Sequence, residues 1–125
     1  MNDFSSALST AAGGMSAQGR RLRHVSENIA NADTPGYQRK LVSFSPDQDS
    51  GVRIGELTLD ARPLPKIYDP AHPLAQSDGY YEGSNVDLLT EIADAREAQR
   101  SYEANLKMFD QVRQMSSALM DLLKK

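Results

Sequence analysis

Apolar positions recur at alternating steps of four and three at both ends of the chain. Phe4, Leu8, Ala11, Met15, Gln18, Leu22, Val25 and Ile29 form one series, and Leu88, Ile92, Ala95, Gln99, Tyr102, Leu106 and Phe109 form the other. This spacing sets side chains in one stripe along a helix. The second stripe continues through Val112, Met115, Leu119 and Leu122 after a shift of about one position, as a stammer in a heptad produces. Ser84 or Asn85 is placed to cap a helix running to Lys124, with Asp87 in its first turn and Lys124 and Lys125 at its end, the arrangement a helix dipole favours. Such a helix runs on the order of 55 Å at about 1.5 Å per residue, so an elongated molecule is expected. The predicted architecture is mainly α with a small β-rich insert. Residues 1–33 and 85–125 are long helices paired as an antiparallel coiled coil by their two stripes, and residues 34–84 form an elbow and a β-hairpin-like middle segment.

Each stripe carries one polar member, Gln18 and Gln99, at comparable depth, where either a register-fixing pair or loosely packed exposed amides can stand. Gly13 and Gly14 sit inside the first helix, at roughly 1 kcal/mol each relative to Ala. Either the close approach of a neighbouring helix, with Ala7, Ala11, Ala12 and Ala17 nearby, or a tolerated kink accounts for them. Further apolar residues lie off the stripes: Ala7, Ala12, Ala17 and Ala30 on the first helix, Leu89, Met108 and Met120 on the last. Together they are wider than a two-stranded coiled coil uses, which implies lateral partners unless the middle folds back over them. The middle is short and rich in Pro and Gly. Val52 and Ile54 share one strand phase and Leu57 and Leu59 the other, with Gly55 between them reading as a bulge or hairpin edge, and Lys40 to Phe44 is the candidate partner strand. The runs Arg62-Pro63-Leu64-Pro65 and Asp69-Pro70-Ala71-His72-Pro73 are excluded as central strands by the missing ladder donors.

Composition narrows the function classes. The net charge of −3, with both signs interspersed, argues against a nucleic-acid surface. The only basic cluster, Arg20, Arg21, Arg23 and His24, reads as a solvated helix face. There is no cysteine, so thiolate metal sites, disulfides and cysteine nucleophiles are excluded. Neither a membrane span nor a cleavable signal is expected.

After Ile29 comes Ala30-Asn31-Ala32-Asp33-Thr34-Pro35-Gly36-Tyr37, in which proline ends the helix and Pro-Gly sets a turn. Gly36 opens a backbone conformation closed to other residues, and Asn31 or Asp33 can bond locally to freed backbone groups. The run from Glu27 through Asn28 to Tyr37 resembles the N-terminal signature of bacterial flagellar axial proteins, the rod, hook and hook-associated proteins. Ser101-Tyr102-Glu103-Ala104-Asn105 resembles their C-terminal motif. Tyr68-Asp69-Pro70-Ala71-His72-Pro73-Leu74-Ala75, Asp78-Gly79-Tyr80 and Asn85-Val86-Asp87-Leu88 are similar to the proximal rod branch, and the likeness covers nearly the whole chain. Two places depart from it: Gly36 follows Thr34-Pro35 with none of the extra residues many relatives carry, and the end reads Met120-Asp121-Leu122-Leu123-Lys124-Lys125 instead of a Leu-Gly finish.

The resemblance implies a non-enzymatic structural subunit of the proximal rod of the flagellar basal body, packing helically through its terminal helices. It implies a place in the rod within the periplasm, reached through the flagellar export apparatus without a cleavable signal peptide. The implied partners are copies of the chain, FlgB, further proximal and distal rod subunits, and basal-body ring or export-gate adaptor proteins; nucleic acid, small-molecule substrates, cofactors and direct membrane insertion are not expected. The alternative is a helical-hairpin adaptor that binds partner helices without polymerising.

Other chemistry finds no support in the residues. Gly14 to Arg20 has the glycine spacing of a phosphate loop, but Arg20 and Arg21 stand where Lys and Ser or Thr are needed. Asp47-Gln48-Asp49-Ser50-Gly51 starts like a calcium loop, yet Val52 replaces the required glycine and Thr58 the bidentate glutamate, leaving a polar loop. His24 and His72 lack a second ligand at helical spacing. Glu91 and Asp94 read as an exposed helix face in preference to an acid–base pair.

Overall fold

The computed structural model describes residues 2–48 and 51–124. The order is α1 (Asn2–Ala30), β1 (Lys40–Asp47), β2 (Gly51–Leu59), β3 (Lys66–Tyr68), β4 (Tyr80–Glu82) and α2 (Leu88–Leu123). It is mainly helical with a small β insert: the terminal helices pack on each other and two antiparallel hairpins, β1–β2 and β3–β4, lie between them in sequence. Asp87, and neither Ser84 nor Asn85, caps α2: its backbone is extended and its carboxylate accepts from the Leu89 amide at 3.1 Å. Ser84 is turned to the Val86 amide and Asn85 is drawn into tertiary bonds, so neither is free to cap. Lys124 is the C-cap, and Lys125 lies outside the described residues.

The helices run antiparallel: Gly14 faces Asn105, Gly19 faces Tyr102, Arg21 reaches Asp94 and Glu97, and Asn28 meets Glu91. Carried to the chain start, this register exhausts α1 roughly two turns before α2 ends. The two apolar stripes face each other only in part: most of the α1 stripe lies in or beside the seam, with Ala11 and Val25 buried, whereas on α2 only Val112 is buried and Ala95 and Phe109 half-buried. The buried positions are Ala11, Gly14, Ala17, Val25 and Asn28 on α1 and Glu91, Ala98 and Val112 on α2. Small residues win the interior because they let the backbones close on one another. A Cβ on Gly14 would stand 2.6 Å from Asn105 Oδ1, so close helix approach, and not a kink alone, accounts for this glycine. Gln99 is exposed and bonds Glu103 along its own helix, and Gln18 accepts from Arg21, so the two amides do not form a register pair.

The β1–β2 hairpin folds back along α1. Its far end reaches Thr10, whose Cγ2 would lie 2.8 Å from a Cβ on Gly51. Val52 and Ile54 are half-buried while Leu57 and Leu59 are exposed, as the two strand phases predict. The register slips between Val42, paired with Leu57, and Phe44, paired with Ile54, which leaves Gly55 in a bulge. The strand opposite runs further than expected, through Pro46 to Asp47; as the strand has only one partner, the missing donor can point outward. The candidate calcium loop falls partly on Asp49 and Ser50, outside the described residues. The β3–β4 hairpin was not legible in the sequence: each strand has three residues, held by Tyr68 packed edge-on to Tyr80 at 5.0 Å. His72 stacks on Tyr81 at 3.9 Å in the loop region.

Candidate functional site

The elbow after α1 is tied to both hairpins and to the start of α2 through a polar clasp. At its centre is Asn28, 1% exposed, with all four of its amide bonding positions in use. Its Oδ1 accepts from the Tyr37 hydroxyl at 2.8 Å and the Lys40 amide at 2.9 Å. Its Nδ2 donates to the Lys40 carbonyl at 3.0 Å and to Glu91 Oε2 at 3.3 Å. Glu91 is fully buried, and its other oxygen receives Arg39 Nε. The Arg39 fork continues to Asp94 Oδ2 at 3.0 Å and Asp60 Oδ2 at 3.7 Å. A guanidinium presents several fixed donors, which is what lets one side chain hold three carboxylates from two parts of the chain.

Asn85 closes the outer side. Its Oδ1 accepts from the Arg39 amide at 2.6 Å and its Nδ2 donates to the Asp60 and Arg62 carbonyls, both at 3.1 Å. The Arg62 side chain and backbone amide both bond Asp60, holding its carboxyl below the ordinary range. Lys40 does the same for Glu27 through a direct ion pair, and Glu27 in turn raises Lys40. Burial pushes the Tyr37 hydroxyl up, with Glu27 and Glu91 adding to the rise. The Glu91–Asp94 pair is therefore not the exposed helix face expected: Glu91 is sealed inside and Asp94 is half-buried between Arg39 and Arg21. Nor is the basic cluster wholly solvated. Arg20 and Arg23 are exposed, but Arg21 is packed against Asp94 and Glu97 with the Phe44 ring 6.0 Å from its guanidinium carbon, and His24 is half-buried.

The signature residues divide between this clasp and its approaches. Asn31 Nδ2 bonds the Glu27 carbonyl at 2.8 Å and its Oδ1 accepts from Thr34, which stiffens the end of α1. Asp33 is exposed. Pro35 and Gly36 line a cleft against β4, and Gly36 has φ +75° with its amide directed at the Glu82 and Gly83 carbonyls. In the later motif, Asn105 Nδ2 bonds the Ser101 carbonyl at 2.9 Å, which holds its amide over Gly14; Tyr102 and Ala104 are exposed. Arg39, Asp60, Asn85 and Glu91 were missed as site residues; isolated polar residues at these separations carry no local signal.

The stripe residues end up in different places. Val25 and Val112 are buried, and Phe4, Leu8, Met15, Leu22 and Phe109 are half-buried. Ile29, Leu88, Ile92, Tyr102, Leu106, Leu119 and Leu122 are exposed, Leu122 at 67% and Leu88 at 49%. With Leu89, Met108, Met115, Met120 and Leu123 also exposed, α2 leaves large apolar residues uncovered from its first turn to its last, on both flanks of its buried positions. Exposed apolar surface of this extent marks an interaction site. Among the described residues no helix is long and apolar enough to cross a membrane, and no group of three potential ligands could hold a metal.

Comparison with known proteins agrees with this geometry. A family model described as flagella basal body rod protein matches residues 8–38, and one described as flagellar basal body rod FlgEFG protein C-terminal matches residues 77–122. The chain is 43% identical over 136 aligned residues to a flagellar basal-body rod protein FlgC of Agrobacterium fabrum, covering 99% of this chain and 98% of that one. It is 32% identical to the FlgC of Salmonella typhimurium over 84% of this chain and 87% of the relative, and 32% identical to that of Bacillus subtilis over 79% and 84%. Paired terminal helices with an uncovered apolar face, carrying both matched segments, define a structural subunit of the bacterial flagellar basal-body rod. Within that class, the chain belongs to the FlgC family.

Proposed function

We propose that this chain builds the proximal rod by offering the outer face of α2 to neighbouring subunits, while the clasp fixes the angle between the helices and the hairpins. The observation that carries the reading is the division of labour on α2: its interior is closed by Glu91, Ala98 and Val112 with Phe109 half-buried, and most of its large apolar residues are left outside. Contacts of this kind between different surfaces need not close, so copies can add helically. Neighbours are copies of the chain, FlgB and other proximal or distal rod subunits, with ring or export-gate adaptor proteins at the base. On this reading the subunit lies in the periplasm, within the rod, after export through the flagellar apparatus. The division into helices 1–33 and 85–125 and an intervening segment 34–84 then separates assembly surface from spacer. Glu91 and Asp94 support a structural over a catalytic role, since one is sealed and both are committed to Arg39. Family membership supports the rod over the non-polymerising adaptor.

Imaging of basal bodies isolated from a strain carrying the labelled chain tests this reading. Label in the lower rod agrees with it; complete basal bodies without label contradict it.

A further inference from the structure

The exposed apolar residues of α2 include three thioethers. Met108 is 57% exposed, Met115 51% and Met120 41%, whereas Met15 on α1 is half-buried. Met108 and Met115 are seven residues apart and so stand in one column, on one flank of the line through Ala98 and Val112; Met120 stands on the other flank. None of the three belongs to the interior of α2, which is closed by Glu91, Ala98 and Val112, so a change in their polarity leaves the pairing of the helices alone. In a sequence without cysteine, the thioether is the side chain that peroxides oxidise most readily.

Resting on the rod reading above, we propose that Met108, Met115 and Met120 form a peroxide-sensitive modification site that gates entry of the subunit into the assembly. A lone pair of the methionine sulfur attacks one oxygen of hydrogen peroxide, the O–O bond breaks and an S–O bond forms. The departing hydroxide takes the proton of the new S–OH group and leaves as water, so sulfur is oxidised and the peroxide reduced. The product is a sulfoxide, polar where the thioether was apolar and adaptable. In the free chain water solvates it. Under a neighbouring subunit it loses that water, which should weaken incorporation on the order of tenfold for each sulfoxide covered. A thioether already covered by a neighbour is in turn out of the oxidant's reach. The site therefore responds to oxidant met before assembly, and a thiol-dependent sulfoxide reductase restores the chain, releasing the oxygen as water while two thiols join as a disulfide.

Hydrogen peroxide added to the purified full-length chain, with each methionine read by peptide mass spectrometry, should oxidise Met108, Met115 and Met120 several times faster than Met15. The unfolding midpoint should not move. Equal rates at all four positions overturn the proposal. In a culture given peroxide while flagella grow, the unassembled chain should carry on the order of tenfold more sulfoxide at the α2 positions than the chain in basal bodies from the same cells. Equal fractions overturn the gate and leave the rod reading standing, whereas basal bodies that lack this chain contradict the rod reading itself. That comparison uses the unaltered chain, so it holds whichever variants fold. Met108→Gln with Met115→Gln imitates the lasting polarity of the sulfoxide at similar helix propensity. It should lower rod yield at least about tenfold without peroxide. Met108→Leu with Met115→Leu should keep building rods at peroxide levels that stop the unaltered strain. Normal yield from the Gln pair, or equal peroxide sensitivity of the Leu pair and the unaltered strain, overturns the gate.

Discussion

Asn28 Nδ2 lies 3.3 Å from Glu91 Oε2, joining the last full turn of α1 to the first turn of α2. Both residues are sealed from solvent, and the bond is one strand of a network that also takes in Tyr37, Arg39 and Lys40. The elbow angle thus depends on a few polar atoms whose desolvation is offset only if every one is bonded.

Glu91→Ala leaves the Arg39 guanidinium short of its buried partner and Asn28 Nδ2 with one acceptor. Removing one member of a buried ion pair costs about 3–5 kcal/mol, a large part of the roughly 5–15 kcal/mol that holds a whole domain. Urea unfolding of the purified chain should show a loss of that size. A change within 0.5 kcal/mol would mean that the clasp is not closed in solution.

Gly14→Ala forces a methyl into the space of the Asn105 amide, which the Ser101 carbonyl holds in place. The loss should be about 1–3 kcal/mol, the usual range for overpacking. Asn105→Ala in the same chain removes the obstacle, so the double variant should recover most of it. Additive losses in a double-mutant cycle would show that the two residues do not touch.

Gly36→Val meets no neighbouring atom within 4 Å but must hold φ near +75°. The strain is conformational and local, about 1–2 kcal/mol or more for a branched side chain. The helices should still pair, while the amide bonds from Gly36 to Glu82 and Gly83 weaken and the β3–β4 hairpin is misdirected. The subunit should be exported yet fail to build a continuous rod. Complete rods at wild-type yield in purified basal bodies would reduce the elbow to a connector.

Glu27 and Asp60 are held below their ordinary values of 4.5 and 3.8 by Lys40 and Arg62 respectively. A carboxyl lowered in the folded state adds stability above its unfolded value and loses it as pH falls through the folded one. The clasp should therefore weaken progressively below about pH 4.5. Lys40 is raised by the same pair, so its share fades only at pH above its ordinary 10.5. Unfolding followed from pH 7 to pH 3 should show a shallower decline in Asp60→Asn than in the unaltered chain; identical slopes would remove Asp60 from the titrating set.

Much of this architecture is written in local pattern. The four-and-three spacing locates both helices, Pro35-Gly36 locates the elbow, and the two phases of Val52, Ile54, Leu57 and Leu59 locate the first hairpin. Which face of α2 turns inward is not local. The hydrophobic stripe marks the most apolar face, but over the first half of α2 the chain's own packing selects Glu91 and Ala98 instead and meets the stripe only at Val112, because the facing side of α1 includes the small residues Gly14 and Ala17 beside the stripe and the clasp needs Glu91 inside. Periodicity reports apolarity and does not say which surface covers it. The clasp was legible only at Asn28 and Tyr37, through the axial-protein signature; Arg39, Asp60, Asn85 and Glu91 become their neighbours only after the fold brings them together. The three-residue strands β3 and β4 are too short to carry a period.

The central claim is that the exposed stripe of α2 belongs to the assembly and not to the monomer. Leu106 lies on it, 42% exposed, so Leu106→Asp should cost the purified chain only about 1 kcal/mol, from the poorer helix former and the part of the leucine that the monomer covers. If neighbouring subunits cover this stripe, the same carboxylate is buried there without a partner at a cost of several kcal/mol. The decisive measurement is rod yield in basal bodies isolated from a Leu106→Asp strain whose purified subunit loses no more stability than this. The account predicts no rod beyond the point where this subunit enters; complete rods would contradict it.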